Sequence, residues 1–213
     1  MTIIGAKGHA RGLIEVLLAN GLAQDEVFLF DDVSEDMPDL VYGRYPVIRS
    51  LAQLQAHFSE HGRDFVLGLG GTSRRRDLSE NIKAVGGCLT GLIAKSAQVS
   101  PHILGIADGA CVLGNAIVGV DVEIGEGTLV NLAAVVAHDA KVGDYCDIAP
   151  GAKILGRAVI GDLTEIGANA VVLPGVKVGP GCRVGAGAVV NRDVASGLTV
   201  VGTPAKPVTR SRR

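Results

Sequence analysis

Val142-Gly143-Asp144-Tyr145-Cys146-Asp147-Ile148-Ala149-Pro150-Gly151-Ala152-Lys153-Ile154-Leu155-Gly156-Arg157-Ala158-Val159-Ile160 carries Ile or Val at every sixth place, at Val142, Ile148, Ile154 and Ile160. Extended toward the N-terminus, the same register meets Val136, Val130, Ile124, Val118, Val112 and Ile106. Extended toward the C-terminus, it meets Ile166, Val172, Val178, Val184 and Val190. Four residues after each of these stands a small or β-branched residue: Ala110, Ala116, Val122, Thr128, Ala134, Ala140, Cys146, Ala152, Ala158, Thr164, Ala170, Val176, Cys182, Ala188 and Val194. An α-helix would need an apolar period of 3.6 and would not accept glycine this often.

Period six has a simple physical reading. Each hexapeptide is a short strand plus a turn, and three of them close one triangular coil. The Ile/Val position points to the axis, the small position packs beside it near the corner, and Gly or Asn permits the turn. Residues 106–195 are therefore expected to form five uninterrupted coils of a left-handed parallel β-helix. Cys146 and Cys182 take the same inward position two coils apart, about 9–10 Å at sheet spacing and too far for a disulfide. They read as small buried hydrophobes. With Cys88 and Cys111 they show neither CxxC spacing nor a secreted framework.

Composition agrees with a narrow, repetitive interior. The chain of 213 residues is 47% hydrophobic and has 30 Gly, yet only 4 Phe, 3 Tyr and no Trp. A net charge of -2 gives no basic footprint for nucleic acid. The basic clusters are Arg74-Arg75-Arg76, placed at a helix start, and a tail with Arg210, Arg212 and Arg213, read as a solvated end. There is neither an apolar run of membrane-spanning length nor a signal-peptide pattern after Met1, so a cytoplasmic protein without membrane contact is expected.

The first part reads as a small α/β Rossmann-like domain over residues 1–93, followed by the β-helix over 94–213. Thr2–Gly5 is a strand running into Gly5-Ala6-Lys7-Gly8-His9-Ala10 and an amphipathic helix from about Arg11 to Asn20, stopped by Gly21. Val27–Phe30 is a second strand ending in Asp31-Asp32. After a loop containing Pro38, Gly43 and Pro46, Ser50–Glu60 reads as helix. Phe65–Gly70 is the third strand, Thr72 the N-cap of a helix running to about Val85, and Leu89–Ile93 the fourth strand. Strand, Gly loop, helix, then strand with terminal acids is the order of a nucleotide-binding half-Rossmann unit. The loop lacks a full GxGxxG, and such glycines also serve as plain turn residues; the acids Asp31-Asp32 favour the nucleotide reading.

Within the regular repeat the one histidine is His138, in Val136-Ala137-His138-Asp139; His102 precedes the regular part. As the third residue of its hexad, His138 points away from the axis. One coil above it is Gly156, which would leave a groove beside the imidazole and an open backbone amide. A thioester carbonyl could lie there with its developing oxyanion near the Gly156 N–H, and the imidazole could act as base. Asp139 could orient the ring, although neighbouring side chains on a strand normally diverge; Asp147 is a second acidic candidate. Zinc, as in γ-class carbonic anhydrases, would need three converging histidines, so no metal is expected.

Ile3-Ile4-Gly5-Ala6-Lys7-Gly8-His9-Ala10, Phe30-Asp31-Asp32, Val130-Asn131, Val136-Ala137-His138-Asp139, Ile148-Ala149-Pro150-Gly151-Ala152 and Val201-Gly202-Thr203-Pro204-Ala205-Lys206 give the whole chain a resemblance to a known family. It resembles the bacterial nucleotide-sugar N-acetyltransferases and the related sialic acid O-acetyltransferases, which are hexapeptide-repeat acyltransferases. The resemblance implies a homotrimer that binds acetyl-CoA as co-substrate between neighbouring β-helices. It implies that His138 is the general base for the sugar amine, with Asp139 as its support. Lys7, Gly8, His9, Asp31, Asp32 and Gly70 would hold the nucleotide-sugar, and Asn131 would lie near the acceptor. Asp147, Gly156, Ala168 and Ala186 would line the CoA channel. Lys7 replaces a glycine usual in the family's loop, and Asp147 stands where a second histidine is common; a carboxylate cannot donate a hydrogen bond to a thioester oxygen.

The expected activity is acetyl-CoA-dependent N-acetylation of an amino-deoxy-sugar linked to UDP, GDP or dTDP, for surface glycan synthesis. Alternatives are O-acetylation of a sialic-acid-like sugar and a non-catalytic nucleotide-sugar-binding scaffold.

Overall fold

The computed structural model describes residues 1–208, so the arginines of the tail lie outside the described residues. The chain divides into two compact units, Met1–Lys95 and Ser96–Arg213.

In the first unit, β1 (Thr2–Ile4), β2 (Phe28–Phe30), β3 (Leu40–Val41), β4 (Tyr45–Ile48), β5 (Asp64–Leu67) and β6 (Cys88–Leu89) form one sheet in the order β3-β4-β2-β1-β5-β6. All pairings are parallel except β3 with β4. The helices are α1 (Gly8–Ala19), α2 (Leu51–His61) and α3 (Thr72–Ala84). Central β1 is buried along its whole length, as its apolar run Ile3-Ile4 requires for a strand covered on both faces. The chain leaves β1 toward β2 on one side and later returns to β5 on the other. That reversal opens a crevice at the carboxyl ends of β1, β2 and β5, the usual ligand position in such sheets.

Three local expectations need correction. The loop after Asp31-Asp32 is not structureless: it contains the β3–β4 pair, and Pro46 sits within β4. Tyr42 and Gly43, both with positive φ, make the tight connection. Thr72 is not an N-cap but the first residue of α3, where Gly71 precedes the helix without any side-chain cap. The fourth strand is split at Thr90-Gly91 into β6 and a separate two-residue strand, Leu92–Ile93. Ser50, by contrast, caps α2 by accepting from the Gln53 N–H at 3.2 Å.

The second unit is the left-handed β-helix. Its first face stacks Cys111–Val112, Leu129–Val130, Asp147–Ile148, Glu165–Ile166 and Arg183–Val184. The second stacks Gln98–Val99, Ile117–Val118, Val135–Val136, Lys153–Ile154, Val171–Val172 and Val189–Val190. The third stacks Gly105–Ile106, Glu123–Ile124, Lys141–Val142, Val159–Ile160 and Lys177–Val178. From Val112 to Val190 every sixth residue is buried, and so is the small residue four places after each until Ala188.

Both ends of the prism depart from the regular coil. Val99 pairs with Val118, nineteen residues on, so the first coil carries one extra residue before Ile106. At the other end Val194 bridges to Val178 and Val200 pairs with Val184, each sixteen residues apart. The fifth coil is therefore two residues short. Val194 stands in the column of large inward residues, not among the small ones where the period alone put it.

One inner corner column reads Thr128, Cys146, Thr164, Cys182. Each side chain donates to a backbone carbonyl across the coil: Thr128 to Gly143 at 2.7 Å, Cys146 to Gly161 at 3.2 Å, Thr164 to Gly179 at 3.0 Å and Cys182 to Ala195 at 3.1 Å. Polar atoms inside an apolar prism are thereby satisfied. Burial pushes the Cys146 thiol up to about 12, which makes it inert.

Candidate active site

His138 follows the second-face strand Val135–Val136 and begins a corner. The next residue, Asp139, has φ 59°, the left-handed conformation that turns the chain there. Side chains of neighbouring residues diverge on an extended strand, but this turn swings the Asp139 carboxylate back to the imidazole. Its Oδ2 lies 2.6 Å from His138 Nδ1. A carboxylate only accepts, so Nδ1 is the nitrogen that carries a proton, and in the neutral form of the ring the lone pair falls on Nε2. Both side chains are about half exposed, 53% and 48%, so the pair is open to a ligand.

Gly156 lies one coil above. A Cβ placed on it would stand 2.5 Å from both Cε1 and Nε2 of His138. The imidazole itself fills the space the glycine leaves, which revises the expectation of a groove beside the ring for a thioester carbonyl. The Gly156 N–H has no acceptor among the described residues.

The other prism candidates lie elsewhere on the same chain. Asn131, Ala168 and Ala186 stand at the corner following the first face, and the Asn131 side chain accepts from the Leu132 N–H at 2.8 Å. Asp147 points outward from the first face, between Leu129 and Glu165 in the ladder. The strands of the second face separate the Asn131 corner from the His138 corner, so one prism does not bring all these residues together.

In the α/β unit, Lys7, His9, Asp31, Asp32 and Gly70 line one cleft of about 270 Å³ at the carboxyl ends of β1, β2 and β5. Gly8 lines a neighbouring cleft that shares Lys7 and Ser34 with it. The two acids differ. Asp31 is buried, and its carboxylate accepts from the Val33 N–H, the Ser34 N–H and the Ser34 hydroxyl. It shapes the loop, while the exposed Asp32 is the acid left to meet a ligand. The Arg49 guanidinium pins the same loop by donating to the Ser34 and Met37 carbonyls.

His9 Nε2 is buried and has no protein partner among the described residues. Burial, and then the nearby Arg75 charge, pull its pKa down to about 4, so the ring is neutral at physiological pH. Three participants went unread in the sequence. Ser34 and Arg74 line the cleft, and Arg75 is wholly buried beneath it. The only available signal was Arg74-Arg75-Arg76 itself: the middle arginine lies three residues after Thr72, the buried first residue of α3, and falls with it on the inward face of the helix. No group of three or more His, Cys, Asp or Glu is placed to hold a metal among the described residues. Among them, too, no helix is long and apolar enough to cross a membrane.

A prism of hexapeptide coils with an exposed His–Asp pair at one corner, carried with a nucleotide-type α/β unit, defines a hexapeptide-repeat acyltransferase. Residues 1–82 match the PglD N-terminal domain family, and residues 157–192 match the bacterial transferase hexapeptide (six repeats) family. No curated protein matches the chain. Solved structures do. The acetyltransferase domain of PglB from Neisseria gonorrhoeae FA1090 is 35% identical over 97% of this chain and 98% of that one, with a TM-score of 0.87. The same domain has been solved in complex with acetyl coenzyme A. PerB from Caulobacter crescentus, in complex with CoA and GDP-perosamine, is 32% identical over 98% and 96%, with a TM-score of 0.89. WeeI from Acinetobacter baumannii AYE is 25% identical over 97% and 98%, with a TM-score of 0.87. The chain belongs to the family of the bacterial nucleotide-sugar N-acetyltransferases and sialic acid O-acetyltransferases, and it is an acyltransferase.

Proposed function

We propose that the protein transfers the acetyl group of acetyl-CoA to the amino group of a nucleotide-linked amino-deoxy-sugar, in the synthesis of a surface glycan. The observation that carries this is the His138–Asp139 pair, with Nδ1 committed to the carboxylate and Nε2 left as base. As the amine nitrogen attacks the thioester carbon, Nε2 accepts the amine proton. The carbon–sulfur bond then breaks, and the proton passes to the departing thiolate. Asp139 holds the ring in the required tautomer and stabilises the imidazolium. The Gly156 N–H is a backbone donor available to CoA at this corner.

Acceptor binding falls to the α/β cleft, with Lys7 near the diphosphate, Asp32 for hydroxyls, and His9 and Gly70 as neutral hydrogen-bonding groups. That PerB is described with GDP-perosamine, and the PglB domain with acetyl coenzyme A, supports both substrates. A homotrimer follows from the same reading. The Asn131, Ala168 and Ala186 corner and the His138 corner belong to different edges of a prism, so a second copy supplies the wall that one copy lacks.

The test is a panel of UDP-, GDP- and dTDP-amino-sugars with acetyl-CoA, monitored by thiol release, for the wild type and His138→Ala. One nucleotide-sugar should turn over, and the variant should lose about 10²–10⁴-fold in kcat. Undiminished turnover in His138→Ala would sink the mechanism. Turnover of a free sialic-acid-like sugar with none of the nucleotide-sugars would sink the substrate assignment.

A further inference from the structure

Arg75 is the largest fully buried side chain among the described residues, with no exposed surface at all. Removing a guanidinium from water is costly unless its donors are satisfied. Here Nη1 donates to the Leu69 carbonyl at 2.9 Å and to the Leu67 carbonyl at 3.3 Å. Those carbonyls belong to the last residue of β5 and to the loop entering α3. The loop is also clamped from the other side. A Cβ on Gly68 would lie 2.5 Å from Ile3 Cγ2, 2.9 Å from Ala10 Cβ and 3.0 Å from Ala10 Cα, so its backbone is pressed onto β1 and α1.

The Leu69–Gly70 peptide is planar and trans, so its C=O and N–H point in opposite directions. With the Leu69 oxygen held downward by a buried guanidinium, the Gly70 N–H points away from the core. Gly70 is exposed and lines the cleft, and its N–H has no acceptor among the described residues.

We propose that Arg75 is a positioning residue of the acceptor site: it orients the Leu69–Gly70 peptide so that the Gly70 N–H donates to an acceptor oxygen of the nucleotide-sugar. This rests on the functional reading above and assigns the cleft a fixed backbone donor. The oxygen belongs to the diphosphate or to a base carbonyl. Arg75 does not touch the ligand. A lysine at this place keeps the charge, but its Nζ ends one bond short of the Nη1 that holds both carbonyls, so it cannot hold the Leu69 oxygen in the same place.

The experiment has two parts, both on the full-length protein. First, millisecond hydrogen exchange at Gly70 is followed in the wild type with and without saturating UDP, GDP or dTDP, whichever binds best in calorimetry, and with the corresponding nucleoside. Exchange should slow about tenfold on binding. Slowing by the nucleoside identifies a base carbonyl, slowing by the diphosphate alone identifies a phosphate oxygen, and either supports the assignment. Second, Arg75→Lys should weaken that diphosphate about tenfold, the worth of one hydrogen bond, and abolish the slowing at Gly70. Affinity for acetyl-CoA serves as the internal control for a folded protein.

Unchanged exchange at Gly70 in saturated wild type overturns the proposal and needs no variant to fold. Arg75→Lys binding within about twofold of wild type overturns it as well, since a hydrogen bond is worth more. If the wild type binds no nucleoside diphosphate, the functional reading falls and takes this proposal with it. Binding with an insensitive Gly70 leaves that reading standing.

Discussion

Gly156→Ala separates catalysis from stability more cleanly than removal of the histidine. The added Cβ would lie 2.5 Å from Nε2 and Cε1 of His138, inside any tolerable contact. The backbone at Gly156 is not left-handed, so alanine itself is not strained there. The ring, half exposed, must therefore swing into solvent and give up its 2.6 Å contact with Asp139. Loss of an exposed pair costs about 0–1 kcal/mol. Replacing glycine where the backbone permits it returns about 0.4–1 kcal/mol. Net stability should change by less than about 1 kcal/mol. The rate should fall much further, because a displaced base forfeits about 10²–10⁴-fold, or about 3–5 kcal/mol of transition-state stabilisation. The assay pairs kcat/KM from thiol release, on the accepted nucleotide-sugar, with a thermal melt. Activity within about threefold of wild type would refute the idea that the ring works from the space above Gly156.

Two further outcomes follow from burial. Of the four free cysteines only Cys88 is exposed, so a thiol reagent should label one cysteine quickly in the native protein and four after denaturation. Fast labelling at Cys146 would contradict its raised pKa. For His9, the folded pKa of about 4 lies below the ordinary value of 6.5. The unfolded chain therefore binds the extra proton between those values, and the stability from the neutral ring is complete above about pH 7 and lost as pH falls toward 4. The loss reaches about 3 kcal/mol at most. His9→Gln should flatten that slope in denaturant titrations run at pH 4.5, 5.5 and 7, and an unchanged slope would count against the buried neutral imidazole.

The β-helix was readable because its signal repeats: a register written fifteen times survives any single ambiguity, and between Val112 and Val190 both columns are buried as the period demands. Its ends were not readable. The two-residue shortening before Val194 leaves a valine in either frame, so composition could not tell which column it joined. In the α/β unit the apolar strands and the helix beginning near Ser50 announced themselves locally. The Tyr42-Gly43 turn did not, since Tyr42 gives no hint of a positive φ.

At the site, residue types led to His138, Asp139 and Gly156. What sequence could not supply was direction. That Asp139 bends back to Nδ1 depends on one left-handed residue, and that Asp31 spends its oxygens on its own loop depends on contacts two and three residues away. Arg75 is the sharpest case. Written among arginines it looks like surface, and only the packing of β5 against α3 places it below the cleft.

The glycine above His138 also determines where along the prism such a histidine can stand. The same corner column reads Val120, His138, Gly156, Pro174 and Arg192. Asp121, one coil below Asp139, already shares its left-handed backbone with φ 54°, so the acid and the bend alone are not scarce. What is scarce is a vacancy overhead. Val120→His would aim a second ring at the occupied place of His138, and Gly156→His would aim one at Pro174. The column thus has a single address for an imidazole, and that address is set by the one side chain missing from the coil above.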